Sequence, residues 1–421
     1  MKIKNSFQTF LALLGTTFSF SFLTADSPYS HKPRDYSPPD SVPQTSWMYM
    51  VDIQKFQRKW KKPPPEWMLR GIRKELAPFY SKKITQEALH ETFQQVHPLS
   101  YTRYRIFHNK IYRSGPDLFG LDSYFRTLGR LADYPGVPDL PDIDFILGQR
   151  DGVPMNYDPP DYWITPDFQD QAPIFAFARS ESAPYVVCVP DAFTIAEWKK
   201  LSQEILANNS LYPWSAKEKK AFWRGQPSDF LRALPPHLLL ETYSSQPRCI
   251  LCALSLLYPE EIDAGFNAPG PSPTYLWEKF QPYTKTGVFP EKHLRYAYLP
   301  VLDGAMCTFP GYLWRLLSNS VTFKHPGGVQ WFYEGLEPYV HYIPIDYRLE
   351  NLLDQLNWAK FHDNECQKIA ENATHFVLEN VMMEDIYLYQ MLVFLEYAKC
   401  QAFDGSHLRY TKKESQWTRI R

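Results

Sequence analysis

Net charge is what this chain has least of. Lys and Arg number 45 against 46 Asp and Glu, a formal charge of -1 over 421 residues. A protein whose bulk partner is a polyanion carries a basic excess, so nucleic acid is excluded as that partner. Cysteine is scarce as well. The six thiols, Cys188, Cys249, Cys252, Cys307, Cys366 and Cys400, are too few and too scattered for a disulfide framework, although an even number in an exported chain leaves individual pairs open. Cys249-x-x-Cys252 lacks the second pair that four-coordinate zinc requires, so no metal site is expected there. The apolar run at the amino terminus, Phe10–Leu23, is short for a bilayer crossing. No KDEL-like ending follows Trp417, so retention in a lumen by that route is unsupported.

What is present begins at the same terminus. Lys2 and Lys4, the apolar run, then Thr24, Ala25 and Asp26 have the build of a secretory signal over residues 1–25. An uncleaved anchor is the other reading, so the protein is expected to be exported or membrane-anchored. Residues 26–45, rich in Pro, Ser and Tyr, read as an extended linker. Hydrophobic residues make up 44% of the chain, enough to bury a full core, and the length favours about two to three domains. Aromatics reach 16%, with 12 Trp. Such rings stack on sugars and bases, but core packing is their commoner use.

Along the chain, Thr85–Val96 reads as a capped helix. Tyr104–Tyr112 reads as a hairpin around Asn109 and Lys110. Ile143–Leu147 is a short buried strand that ends in Gly148-Gln149-Arg150-Asp151-Gly152. Open α/β sheets place functional carboxylates at such a strand end, although an Arg-Asp turn is the plainer reading of the residues. Asp142-Ile-Asp144 is a DxD, an acidic pair of the kind that can hold a divalent cation. It precedes the strand, so Asp142 is read as a turn residue and Asp144 as the start of the strand.

A second α/β unit opens near Trp214. Strand Ala221–Trp223, a turn at Arg224-Gly225 and a helix beyond it form the arrangement that holds a phosphate. The Arg224 fork suits a diphosphate, and an ion pair within its own domain suits it equally. Further on, strand Val321–Phe323 empties into Lys324-His325-Pro326-Gly327-Gly328. There a lysine can neutralise phosphate, a histidine can donate to an oxyanion, and glycines present backbone N–H groups. A second strand is expected over Tyr339–Ile345.

The ordered set Trp331, Phe332, Tyr333, Leu336, Pro338, Tyr339, Val340, His341, Tyr342 and Pro344, with a Leu-rich helix behind it, resembles the carboxy-terminal core of the CAP10-like glycosyltransferases, family 90. That family includes protein O-glucosyltransferases, capsule xylosyltransferases and lipopolysaccharide-modifying proteins. The resemblance runs from about Tyr104 to Tyr389. It implies an α/β fold of GT-B type, two Rossmann-like domains facing a cleft: 46–205 on the acceptor side, 206–384 on the donor side, and 385–421 as a carboxy-terminal helix and tail.

The resemblance also implies inverting, metal-independent transfer of a glucose- or xylose-type sugar from a UDP-sugar, with no cofactor beyond that donor. The acceptor would be a hydroxyl of a glycan, a lipid-linked glycan such as lipopolysaccharide, or a protein. Asp151 would be the general base. Arg224, Gly225, Ser228, Arg232, Lys324, His325 and Gly327 would hold the donor. The chain departs from the family where Gly311 replaces a diphosphate-binding Arg, with Arg315 one helical turn beyond, and where Gln330 replaces an acidic residue. These departures leave a second reading open, an inactive member that binds nucleotide or glycan.

Overall fold

The computed structural model describes residues 51–96, 98–150, 152, 171–181, 183, 185–227, 246–267, 280–304, 306–405 and 416–421. The expected signal and linker, and the site candidates Asp151, Ser228 and Arg232, lie outside these residues.

After three helices, Ile53–Trp60, Glu66–Lys82 and Gln86–Gln95, come strands β1 (Tyr101–Phe107) and β2 (Lys110–Ser114) and the helix Leu121–Leu131. The third helix starts where its sequence says: Thr85 accepts from the Ala88 N–H at 3.1 Å, satisfying a donor the first turn leaves open. The hairpin turns at His108 and Asn109, with φ of 47° and 60°, the two positive values of a tight strand reversal. Its centre is one residue earlier than the sequence indicates. Strands β3 (Ile143–Gly148), β4 (Ile174–Ala176), β5 (Arg179–Ser180) and β6 (Val186–Cys188) follow, then the helix Ala192–Asn209.

The second half contains β7 (Glu218–Gly225), the helix Pro247–Leu257, β8 (Ile262–Asn267), β9 (Thr284–Lys285), β10 (Tyr296–Val301), the short helix Gly311–Leu316, β11 (Val321–Lys324), β12 (Gly328–Val329) and β13 (Ile343–Pro344). Helices Leu352–Phe361, Asp363–Asn380 and Met383–Ala398 lead to a last strand, β14 (Thr418–Arg419).

These strands form two main sheets. The first runs β14-β2-β1-β3-β4-β6, antiparallel on one side and parallel from β3 onward. The second runs β13-β11-β10-β7-β8-β9 and is parallel throughout. Counted in chain order from β7, its strands lie 3-2-1-4-5-6. The order reverses between β7 and β10, and that reversal opens a crevice outside their carboxyl ends. β7 alternates across the sheet as a pleat requires: Phe222 joins one core, while Ala221 and Trp223 join the other. Both faces of the parallel sheet are therefore covered.

The expected strand over Tyr339–Ile345 shortens to Ile343–Pro344. Tyr339 has a φ of 59° and its N–H bonds the Tyr342 carbonyl at 2.7 Å, a left-handed turn that a pleated strand cannot contain. The DxD serves the first sheet. The Asp142 carboxylate accepts from the His108 N–H at 2.7 Å. Fully buried Asp144 takes Arg103 through both oxygens, at 2.6 and 2.8 Å, and Arg105 at 2.7 Å.

Two devices tie the halves together. One is a two-stranded ribbon in which β5 and β12 pair antiparallel, Ser180 with Gly328 and Arg179 with Val329. Glu75 anchors it from below, accepting from Arg179 at 3.0 Å and from the Cys188 N–H at 2.8 Å. The other is the helix Met383–Ala398, buried on almost every side, the mark of a helix inside a core. Trp67, Trp331, Phe376 and Tyr389 meet beside it, so much of the aromatic surplus fills this joint. No helix among the described residues is long and apolar enough to cross a membrane.

Candidate functional site

The crevice at the reversal of strand order is built from three strand ends: Gly225-Gln226 after β7, Leu302-Asp303-Gly304 after β10, and Lys324-His325 at β11. Arg248 spans the first two. It is the second residue of a helix that opens on Pro247, and its guanidinium donates to the Gln226 carbonyl at 2.9 Å and to the Leu302 carbonyl at 3.0 and 3.3 Å. A Cβ at Gly304 would lie 2.8 Å from Nη2 of Arg248, so the backbone approaches the cation closely there.

At the third strand end Asp303 organises the loop. Its Oδ2 accepts from Lys324 Nζ at 3.0 Å and from the Gly328 N–H at 3.1 Å. Its own N–H donates to His325 Nε2 at 3.0 Å. A backbone N–H is always a donor, so Nε2 must be the bare nitrogen and the proton sits on Nδ1, which faces the Pro326 carbonyl. Burial, then the adjacent Lys324 charge, pull the His325 pKa down to about 4, so the ring is neutral near pH 7 and both its nitrogens are engaged. Lys324 also donates to the His325 carbonyl at 2.7 Å, which leaves one ammonium N–H without a bond among the described residues. Gly327 has no room for a side chain: a Cβ would stand 2.6 Å from Asp303 Oδ2.

This loop forms one wall of a cavity of about 370 Å³, shared with Tyr312, Tyr333 and Tyr342 and, from the other half of the molecule, Glu181. The opening thus lies where the two halves face each other, with Lys324 and His325 on one side.

The remaining candidates are distributed unevenly. Arg224 and Gly225 close β7, and a Cβ at Gly225 would collide with the Trp223 ring at 2.5 Å. The Arg224 guanidinium lies over Phe222 and is taken up by Asp263 Oδ1 at 3.0 Å and by the carbonyls of Trp223, Asp263 and Thr286. In this conformation it ties β7 to β8. Asp151 lies outside the described residues, whereas Gln149 and Gly152 near it in the chain are described. Gln149 is buried and bonded to Leu118, Thr102 and Pro116. At Gly152 a Cβ would stand 2.6 Å from the Ala178 carbonyl oxygen and 2.7 Å from Met306 Cγ. Met306 follows β10, so Gly152 packs against the second half of the molecule.

Gly311 opens the short helix after β10. Gln330 is buried and accepts from the Tyr333 hydroxyl at 3.4 Å. Cys249 and Cys252 are buried, unpaired thiols on one helix. Among the described residues, no group of His, Cys, Asp and Glu is arranged to hold a metal ion.

Two site residues escaped the sequence reading. Arg248 lies on the helix Pro247–Leu257, well beyond the Arg224–Arg232 stretch in which the sequence offers phosphate ligands. Pro at a first helical position followed by Arg, ahead of the apolar run Cys249–Leu257, is a start signal that could have found it. Asp303, in an Asp-Gly pair after the strand Tyr296–Val301, could have been found by the same rule that drew attention to Asp151.

Comparison with known proteins gives a consistent result. A family model described as glycosyl transferase family 90 matches residues 63–414. Protein O-glucosyltransferase 1 of Bos taurus is 24% identical over 362 residues, covering 79% of this chain and 80% of the relative. The protein of the same description from Homo sapiens is 24% identical over 363 residues, with the same coverage. The O-glucosyltransferase rumi homolog of Anopheles gambiae is 25% identical over 355 residues, covering 78% of this chain and 77% of the relative.

Proposed function

This chain belongs to glycosyl transferase family 90, and we propose that it moves a glucose- or xylose-type sugar from a UDP-sugar to an acceptor hydroxyl, with inversion at the anomeric carbon. Membership makes a nucleotide-sugar donor the expected substrate. The observation that carries the reading is the crevice at the reversal of the parallel sheet, with Arg248 across it and Lys324 beside it. Crevices of this kind receive nucleotides. The architecture is read as GT-B, with Rossmann-like domains over 46–205 and 206–384 and the cavity between them.

Asp151 is assigned as the general base that takes the acceptor proton while the oxygen attacks the anomeric carbon. The placement of Gly152 against Met306 supports this, since it packs the residue after Asp151 against the second half of the molecule. Stabilisation of the departing diphosphate is assigned to Arg248, to the remaining N–H of Lys324 and to the backbone around Gly327, and, from the family resemblance, to Ser228 and Arg232. Donors preset where negative charge develops give the largest share of such catalysis. His325 is assigned a holding role, because its two nitrogens fix the loop. Arg224 reaches phosphate only by leaving Asp263. The named relatives are protein O-glucosyltransferases, so a protein hydroxyl is the first acceptor to try, ahead of a free or lipid-linked glycan. Delivery to an exported or membrane-anchored site through residues 1–25 is part of the same proposal.

The test is UDP release from a panel of UDP-sugars, beside an Asp151→Asn control. One donor should be turned over, and the control should lose about 10²-fold or more, the usual worth of a positioned base. Near-normal turnover by the control would remove Asp151 from the mechanism. UDP binding without turnover of any donor, with or without acceptors, would favour an inactive binding protein, the reading that Gly311 and Gln330 keep open.

A further inference from the structure

Three arginines that are buried or half-buried among the described residues are paired with acids. Arg103 lies on Asp144, Arg179 on Glu75 and Arg224 on Asp263. Arg315 breaks the pattern. It sits on the short helix Gly311–Leu316 with 4% of its surface exposed. Its side chain turns back toward the helix start, where Nη1 donates to the Gly311 carbonyl at 2.9 Å, and the guanidinium lies 4.2 Å from the Trp314 ring centre. Nε is buried without an acceptor. The bond to Gly311 is the side chain's sole hydrogen bond among the described residues, so most of a fork that offers five N–H donors is idle.

The charge is also uncompensated. No carboxylate among the described residues lies within ion-pair distance of it; the charge that acts on Arg315 is that of Arg248, which repels it. Burial first, and that repulsion second, lower its pKa to about 9. A buried cation without a partner is costly. A buried guanidinium that meets no acid among the described residues, near the strand-end crevice that Arg248 spans, invites an anion from outside the chain.

The loop before Gly311 runs close to the strand end that Arg248 occupies. Arg248 is fixed at the carboxyl ends of β7 and β10 by the Gln226 and Leu302 carbonyls. Thr308 Oγ1 donates to the same Leu302 carbonyl at 2.8 Å, which places the loop before Gly311 at that strand end. A Cβ on residue 311 would lie 2.5 Å from Thr308 Cγ2 and 3.0 Å from Arg315 Nη1. Glycine at 311 therefore leaves space for the Arg315 fork beside Thr308.

We infer that Arg315 binds the diphosphate of the nucleotide-sugar donor, sharing its oxygens with Arg248 by reaching past Gly311. The inference rests on the donor-site reading above. It names a residue for this chain whose planar fork matches phosphate oxygens, at a position where a glycine removes the nearer side chain.

Calorimetric titration with UDP and with uridine, on the whole protein and on Arg315→Met, tests it. UDP affinity should fall by about tenfold or more in the variant, the loss expected for charge-assisted bonds, while uridine binds both proteins alike. Because no acid is left unpaired, the variant should melt at or above the wild-type temperature. UDP affinity within twofold of wild type, or an equal loss for uridine, would overturn the inference. Arg315→Lys keeps the charge and approximate volume and serves if the methionine variant does not fold: weaker UDP binding supports the inference, and unchanged binding overturns it. Failure of the wild-type protein to bind UDP would instead remove the donor-site reading, and this inference with it.

Discussion

His325 shows how much a single side chain's role depends on what its two ring nitrogens meet. The Asp303 N–H fixes one and the Pro326 carbonyl the other, so the imidazole is a neutral post that sets the course of the loop. Its folded pKa of about 4 lies below the unfolded value near 6.5. Between those values the unfolded chain binds more protons, so stability rises with pH through that window and is lost on acidification. The contribution is about 3 kcal/mol when complete. His325→Gln keeps an acceptor for the Asp303 N–H and removes the titration. Thermal unfolding across pH 4 to 7 should show a shallower acid loss in the variant than in the wild type; parallel curves would mean that the ring is not buried neutral. The residue types at 324–328 were legible in the sequence as ligands for an anion. Their bonding was not, because Asp303 lies more than twenty positions away and its carboxylate competes for the same Lys324 charge.

At the scale of elements, strand β11, its glycine loop and the ribbon β12 act together. The sequence places the strand and the loop correctly, since a β-branched run followed by Pro-Gly-Gly has few other solutions. It does not indicate that Gly328 and Val329 pair with Ser180 and Arg179 of the other half, because a two-residue strand has no periodicity to read. Gly328 carries a packing constraint as well. A Cβ there would lie 2.5 Å from Cys307 Sγ and 2.6 Å from the Met306 carbonyl oxygen, and the second of these is backbone that moves reluctantly. Gly328→Ala should therefore cost about 1–3 kcal/mol of stability and loosen the ribbon, read as a lower melting temperature together with faster proteolysis near residues 179–183. An unchanged melt would show that the two halves are joined elsewhere. The turn at Tyr339 is the opposite case: aromatic and β-branched residues suggested a strand over 339–345, and a left-handed backbone in contact with Tyr342 overrode the propensity.

Across the whole molecule the helix Met383–Ala398 is the decisive member. Its neighbours include both the first sheet and the helix Glu66–Lys82, with Tyr397 donating to the Asp144 carbonyl at 2.9 Å and the Trp198 indole donating to the Val381 carbonyl at 2.7 Å just ahead of it. One continuous core runs from the first helices through this helix to a face of the second sheet. Removal of residues 383–421 should leave the amino-terminal half unable to fold, read as insoluble expression or loss of a cooperative melt. A soluble truncated protein that still melts cooperatively would contradict the shared core.

The sequence by itself determined the elements whose cause is local. Capped helices, buried strands and glycine turns are specified by neighbours within a few residues, and the ordered motif from Trp331 to Pro344 was enough to point to the family. Tertiary structure decided which polar groups are engaged and which are idle. Arg224 and Arg315 look alike in sequence, each an arginine beside an aromatic residue, yet one is held by Asp263 and the other meets no acid among the described residues. That difference depends on distances between strands brought together by folding, and electrostatic and hydrogen-bond energies follow those distances rather than positions along the chain.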